Sequence, residues 1–190
     1  TSPNVVVLGG TDRQTVEFGH PLSAIPGVRS ALWGDIDDDG LVDVVLLGNG
    51  TTSIWRQSPA NQWRDVTTAM RAPTRDIDAV DGALYDADHD GDLDVWLVNG
   101  RGPNELLNND GNGTFRRIGV QGGLAGDRRP STGVAVADLD GDRDHDLVVL
   151  KASPPHEVYL NDRVWRYVPA PGPVRFVAAD IDAVVAADRD

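Results

Sequence analysis

The 190-residue chain contains no cysteine, which excludes disulfides and thiolate metal sites but does not fix the compartment. It has one methionine and one lysine, Lys151, and aromatic residues make up only 6%. No hydrophobic run approaches the roughly eighteen residues a membrane span requires. No secretory leader is visible, which reads as a mature chain, a fragment or an intracellular protein. No segment keeps a helical period over three turns. Basic residues are scarce as well: 17 Lys and Arg stand against 30 Asp and Glu, a net charge of −13. Without a large basic face, nucleic acid is not expected as a partner. The 40% hydrophobic content is ordinary for a globular chain, so the charge does not imply disorder.

What the chain has in abundance is aspartate, and it is concentrated. Three nine-residue stretches read DIDDDGLVD (Asp35 to Asp43), DADHDGDLD (Asp86 to Asp94) and DLDGDRDHD (Asp138 to Asp146). Each has Asp at positions 1, 3, 5 and 9, and together they hold half of the acidic residues. Their starts lie 51 and 52 residues apart, and Asp188-Arg189-Asp190 opens a fourth copy 50 residues further on. Carboxylates packed this closely repel unless a cation lies between them, so the pattern predicts a repeated calcium site. One Ca²⁺ per complete loop would move the formal charge from −13 to −13 + 6 = −7.

The loops sit inside larger repeats. A short apolar, β-branched run follows each one: Val44 to Leu47, Val95 to Val98, Leu147 to Leu150. Asn4 to Leu8 matches the same place, with Asn4 where the loops carry their last Asp. Second strands are expected at 53–56, 104–108 and 157–161, and third strands at 62–66, 114–118 and 164–168. The third strands put Trp63, Phe115 and Trp165 at one distance before the next loop, which predicts equivalent seats. Fourth strands lead into the loops at 29–34, 83–85, 133–137 and 184–187. Four short antiparallel strands per unit of about fifty residues is the arithmetic of a β-propeller blade. A β-sandwich would not require matched acidic loops, and solenoid rungs are usually shorter.

The strand-loop-strand segments ALWGDIDDDGLVDVVLLG, ALYDADHDGDLDVWLVNG and VAVADLDGDRDHDLVVL, with NELLNNDGNGTFRRI, resemble the FG-GAP/VCBS repeats related to the integrin α-subunit propeller. The last segment is similar to bacterial members associated with ASPIC/UnbV regions. The resemblance covers nearly the whole chain and implies a loop that joins the first two strands of a blade and binds calcium. The GAP-like triplet survives only loosely in Asn99-Gly100-Arg101-Gly102-Pro103, and cysteine is absent, so integrin-like ligand recognition is not implied.

Ca²⁺ takes six to eight oxygens in a flexible shell, which suits carboxylates at 1, 3, 5 and 9 with a backbone carbonyl at 7 better than it suits Mg²⁺. On the family pattern the first site is Asp35, Asp37, Asp39, the carbonyl of Leu41, and Asp43. The second is Asp86, Asp88, Asp90, the carbonyl of Asp92, and Asp94. The third is Asp138, Asp140, Asp142, the carbonyl of Asp144, and Asp146. A split fourth site would draw on Asp188, Asp190 and Asn4. Position 6 must turn sharply, which Gly40 and Gly91 allow and Arg143 does not. The third site is therefore expected to be weakest, or its turn to shift onto Gly141. An EF-hand needs an acid at position 12. Leu46, Leu97 and Val149 stand there instead.

No catalytic constellation emerges. His89 and His145 occupy loop positions expected to face solvent, and His20 and His156 sit beside prolines. No G-x-S-x-G elbow is present, and the paired carboxylates are committed as ligands. The tryptophans (Trp33, Trp55, Trp63, Trp96, Trp165) read as inter-blade core, or as a sugar-stacking platform if one is exposed. Asp76 to Val80 recurs as Asp180 to Val184, either as a blade connection or as a source of extra ligands.

The expected architecture is an all-β propeller within 1–190, with four-stranded blades at 28–68, 79–120 and 132–169. A composite fourth blade would form from 177–190 plus 1–20, its terminal strands shared so that no sheet edge is left open. Leu8 and Asp35 are too close for a full set of strands, so one should be missing or shortened. A partial ring, or one completed by two chains as a homodimer, stays open. The expected function is a non-enzymatic calcium-binding module for structure, adhesion or protein interaction, placed extracellularly, at the cell surface or in the periplasm. A carbohydrate-binding lectin, or the propeller of a polysaccharide-active enzyme, is the alternative. The partner is a protein or a glycan.

Overall fold

The computed structural model describes residues 20–72, 76–111, 114–124, 126–170, 181 and 183–184, together with the backbone of 6–9 and 14–17. Strands dominate because short β-branched runs alternate with Gly- and Asp-rich turns. The order begins with β1 (Val6–Gly9) and β2 (Gln14–Glu17), an antiparallel pair. A single 3₁₀ turn, Pro21–Ala24, follows.

Three four-stranded antiparallel sheets come next. The first contains β3 (Val28–Gly34), β4 (Asp43–Gly48), β5 (Ser53–Ser58) and β6 (Gln62–Asp65). The second contains β7 (Ala79–Tyr85), β8 (Asp94–Asn99), β9 (Glu105–Asn109) and β10 (Phe115–Arg117). The third contains β11 (Ser131–Ala137), β12 (Asp146–Lys151), β13 (Glu157–Asn161) and β14 (Tyr167–Pro169). Each is a meander in chain order, the form of a propeller blade, and each acidic loop joins the first two strands. The leading strands β3, β7 and β11 stand side by side from blade to blade. Each carries an irregularity in pairing at the same place, between Val28 and Ser30, Ala79 and Asp81, and Ser131 and Gly133. Among the described residues β2 is the one strand between β1 and β3. The composite blade and the split site at Asn4, Asp188 and Asp190 otherwise fall outside the described residues.

Strand alternation decides which residues glue which blades. Val45 and Leu47 on β4 meet Val95, Leu97 and Leu107 of the second blade, with Ile54, Met70, Ile77 and Phe115 in the same cluster. Trp96 and Val98, the opposite face of β8, meet Leu147, Val149, Tyr159 and Tyr167 of the third. The second strands are buried on both faces, as sheets stacked face to face require. Tyr85 and Tyr167 join their hydroxyls across the second seam at 2.9 Å.

Two expectations about aromatics need correction. Trp165 is not the counterpart of Trp63 and Phe115. The pairings Trp63↔Gln57, Phe115↔Asn109 and Tyr167↔Asn161 give that seat to Tyr167. Arg163, Val164 and Trp165 all take left-handed backbone, and the last strand starts only after this turn. Trp33 is not core either, being 52% exposed. Its register partner Val44 corresponds to Val95 and Leu147, so Trp33 shares the seat of Leu84 and Val136, which face the preceding blade. Trp33 packs edge-on to Trp63, which in turn meets His20.

Polar ties complete the seams. The segment from Asp76 to Val80 acts as a connection: buried Asp78 pairs with Arg29 at 2.6 Å and Arg101 at 2.8 Å, and Asp76 pairs with Arg117. The sole lysine, Lys151, is buried between Asp127 and Glu157, 3.2 Å from each.

The burial pattern makes a direct comparison. Trp96→Ala should cost about 3–5 kcal/mol, as large-to-small core changes do, while Trp33→Ala should cost about 1 kcal/mol or less. Urea unfolding of both variants checks this, and equal costs would contradict the seam assignment.

Candidate metal centre

The three loops fold alike because the same backbone groups lean on the same aspartates. The position-1 carboxylate closes the turn, accepting the position-6 N–H: Gly40 to Asp35 at 2.8 Å, Gly91 to Asp86 at 3.0 Å, Arg143 to Asp138 at 3.0 Å. The position-5 carboxylate accepts from position 7: Leu41 to Asp39, Asp92 to Asp90 and Asp144 to Asp142, each at 2.9 Å. Positions 4 and 6 are left-handed in every loop: Asp38 and Gly40, His89 and Gly91, Gly141 and Arg143. The turn of the third loop is therefore not shifted. Glycine has moved from position 6 to position 4, and Arg143 takes φ +78°, a conformation that costs a non-glycine residue about 1 kcal/mol.

The position-9 aspartates, fully buried, act as clasps. Each gives one oxygen to the position-2 amide of its own loop: Ile36 to Asp43 at 3.2 Å, Ala87 to Asp94 at 2.8 Å, Leu139 to Asp146 at 2.7 Å. The other oxygen accepts from the third strand: Gln57, Asn109 and Asn161, each at 2.8 Å. These clasps fix the hairpin to its sheet, a role beyond the ligand role the spacing suggested.

Three carboxylates converge in each loop. Asp35, Asp37 and Asp39, then Asp86, Asp88 and Asp90, then Asp138, Asp140 and Asp146 each bring three oxygens within 4.8 Å of one another. Asp142 stands outside the third group, where its place is taken by Asp146. One Asp37 oxygen is buried without any hydrogen-bond partner, as an atom waiting for a cation would be. All-oxygen donors suit a hard ion such as Ca²⁺. The first loop differs in holding a guanidinium: Arg56 pairs with Asp37 and lies 3.5 Å from Asp39.

Burial and crowding shape the charges. Burial pushes the Asp94 carboxyl up to about 7, and burial followed by repulsion from Asp90 pushes Asp88 up to about 6. Asp43 and Asp146 are raised for the same first cause.

The histidines do not simply face solvent. His89 stacks on His145, 6.4 Å between centroids, and its Nε2 meets Asp144 of the next loop at 2.9 Å. Across the other seam Asp38 helps, after burial and Asp90, to raise the Asp92 carboxyl. One seam thus joins the loops by a His–Asp hydrogen bond, and the other sets two of their aspartates against each other. Sequence spacing within a loop carries no sign of these loop-to-loop contacts.

Stacked four-stranded blades, each with an acidic hairpin between its first two strands, define a repeat protein of the propeller-blade type. The chain belongs to the FG-GAP-like repeat family, whose model matches residues 35–97 and 86–149, together more than half of its length. It is similar to cartilage acidic protein 1 from Mus musculus, 33% identical over 106 residues, 51% of this chain and 16% of that protein. The Homo sapiens protein of the same name is 36% identical over 67 residues, 35% and 10% of the respective lengths. That of Xenopus tropicalis is 33% identical over 100 residues, 47% and 16%. The chain therefore matches at most 16% of the length of these relatives.

The raised carboxyls set a pH dependence. A folded-state pKa above the unfolded value near 4 contributes stability below that value and loses it as pH rises through the folded value, here about 6 to 7. The metal-stripped chain should accordingly lose stability to urea between pH 5 and 8. Calcium binding at pH 6.5 should release protons, seen as calorimetric heat that varies with the buffer. Stability that rises over this range, with buffer-independent heat, would contradict the assignment.

Proposed function

We propose that the chain is a calcium-stabilised blade-repeat module that works by binding rather than by catalysis, outside the cytosol. The observation that carries this reading is the threefold recurrence of a carboxylate triplet on one hairpin, with a buried, unpartnered oxygen in the first. Asp35, Asp37, Asp39 and Asp43 would hold the first ion with the Leu41 carbonyl. Asp86, Asp88, Asp90 and Asp94 with the Asp92 carbonyl would hold the second. Asp138, Asp140, Asp142 and Asp146 with the Asp144 carbonyl would hold the third. The bound cation supplies charge neutralisation and cross-linking of the hairpin, no chemistry on a substrate. The clasps fix the loop ends, which leaves the carboxylates of positions 1, 3 and 5 for the ion to order. Because only the folded loop presents these oxygens together, each site adds RT ln(1 + [Ca]/Kd), about 2.7 kcal/mol at a hundredfold excess. Millimolar extracellular calcium would keep modest sites filled.

Partner binding would use the connectors around the blades, as rigid scaffolds usually do. The partner would be a protein or a glycan, and relatives named for cartilage are in keeping with a place outside the cytosol. Among the described residues no helix is long and apolar enough to cross a membrane. A ring completed by a second copy of the chain belongs to the same proposal. One observation favours a second reading, glycan binding: Trp33 is exposed two residues before Asp35 and packs on Trp63.

Calorimetric titration of metal-stripped protein should count three sites, or four if Asn4, Asp188 and Asp190 assemble one, and calcium should raise the unfolding temperature. No binding would leave only an acidic β-repeat. Arg56→Gln should tighten the first site, because a competing guanidinium is removed from Asp37 and Asp39; unchanged affinity would contradict that competition. For the glycan reading, oligosaccharides should quench tryptophan fluorescence in the parent and not in Trp33→Ala, and a parent without quenching would sink it.

A further inference from the structure

The clasps do not end within their own blades. The side-chain amide of Asn109, whose backbone N–H holds Asp94, donates to the carbonyl of Ile36 in the preceding loop at 2.8 Å. Asn161, whose N–H holds Asp146, likewise donates to the carbonyl of Ala87 at 3.3 Å. Ile36 and Ala87 are the position-2 residues whose own N–H groups bind Asp43 and Asp94. A continuous hydrogen-bonded line follows: Gln57, Asp43, Ile36, Asn109, Asp94, Ala87, Asn161, Asp146, Leu139. From Asp43 to Asp146 every member is buried, so water does not compete for its bonds.

We infer that Asn109 and Asn161 are positioning residues that couple the metal loops of successive blades, so that filling one loop raises the affinity of its neighbour. This rests on the calcium reading above. Residue 36 lies between Asp35 and Asp37, and residue 87 between Asp86 and Asp88. A cation drawing those carboxylates together fixes the peptide groups on either side of the position-2 residue. Its carbonyl then holds the asparagine of the next blade, whose N–H already orients the next clasp. Ordering one loop prepays part of the ordering of the other, which is positive coupling without any gross movement. By linkage the effect runs equally in both directions. Gln57 holds the corresponding place in the first blade, where its side chain bonds Asn61; among the described residues the line starts there.

A double-mutant cycle tests this on the first two loops, with the third silenced throughout by Asp138→Asn and Asp140→Asn. Calorimetry with Ca²⁺ reads the first loop with the second intact or silenced by Asp86→Asn and Asp88→Asn. With Asn109 present, silencing the second loop should weaken the first by about fivefold or more, within the usual range for coupled sites. In Asn109→Ala, which keeps the backbone N–H to Asp94, the same silencing should change the first loop by less than about twofold. A merely structural asparagine would shift both affinities and leave their ratio alone, so an equal loss in both backgrounds overturns the coupling. Should Asn109→Ala not fold, the relay-intact pair alone decides, because an unchanged first loop after silencing the second overturns the inference. Absence of calcium heat in the parent chain would overturn the calcium reading as well, and so separates the two failures.

Discussion

A buried aspartate with both oxygens bound to amides holds this molecule in shape. Asp43, Asp94 and Asp146 each tie a loop to its own blade from one oxygen and to the third strand from the other. A carboxylate left unpaired at zero exposure would cost several kcal/mol, so these bonds are obligatory. They fix where the loop closes and therefore where the remaining carboxylates stand. They also leave a dense cluster of carboxylates at one end of the blades. Stability and charge become one problem.

Packing follows from the strand that starts at each clasp. Alternate residues of β8 face opposite neighbours, Val95 and Leu97 toward the first blade, Trp96 and Val98 toward the third. A blade in this position has no solvent face on its central strands, so it depends on both neighbours. Different seams carry different chemistry over a common plan. The second has the Tyr85–Tyr167 and His89–Asp144 pairs, while the first has the Arg29–Asp78 ion pair and sets Asp38 against Asp92.

Much of this was legible in the sequence because two periods are strong there: the two-residue alternation of short β-branched strands, and the recurrence of Asp at fixed spacing. Four short strands per unit follow from these alone, and the family resemblance implied that the loop joins the first two. Spacing misled where a turn intervened, since three left-handed residues from Arg163 to Trp165 delay the last strand and hand the aromatic seat to Tyr167. Contacts between blades were not legible. Asn109 of the second blade reaches Ile36 in the loop of the first, 73 residues before it, and even within one blade Arg56 reaches Asp37 across the sheet. Nothing in a residue's own neighbourhood signals such partners. The clasp role of position 9 was hidden for another reason: a ligand and a structural acceptor call for the same side chain.

The account stands or falls on whether cations sit in these hairpins. Crystals grown in millimolar calcium, measured at long wavelength, would show calcium directly by its anomalous scattering. The account predicts a peak among Asp35, Asp37 and Asp39, a second among Asp86, Asp88 and Asp90, and a third beside Asp138, Asp140 and Asp146. Ordered loops with no anomalous density at any of the three would contradict it.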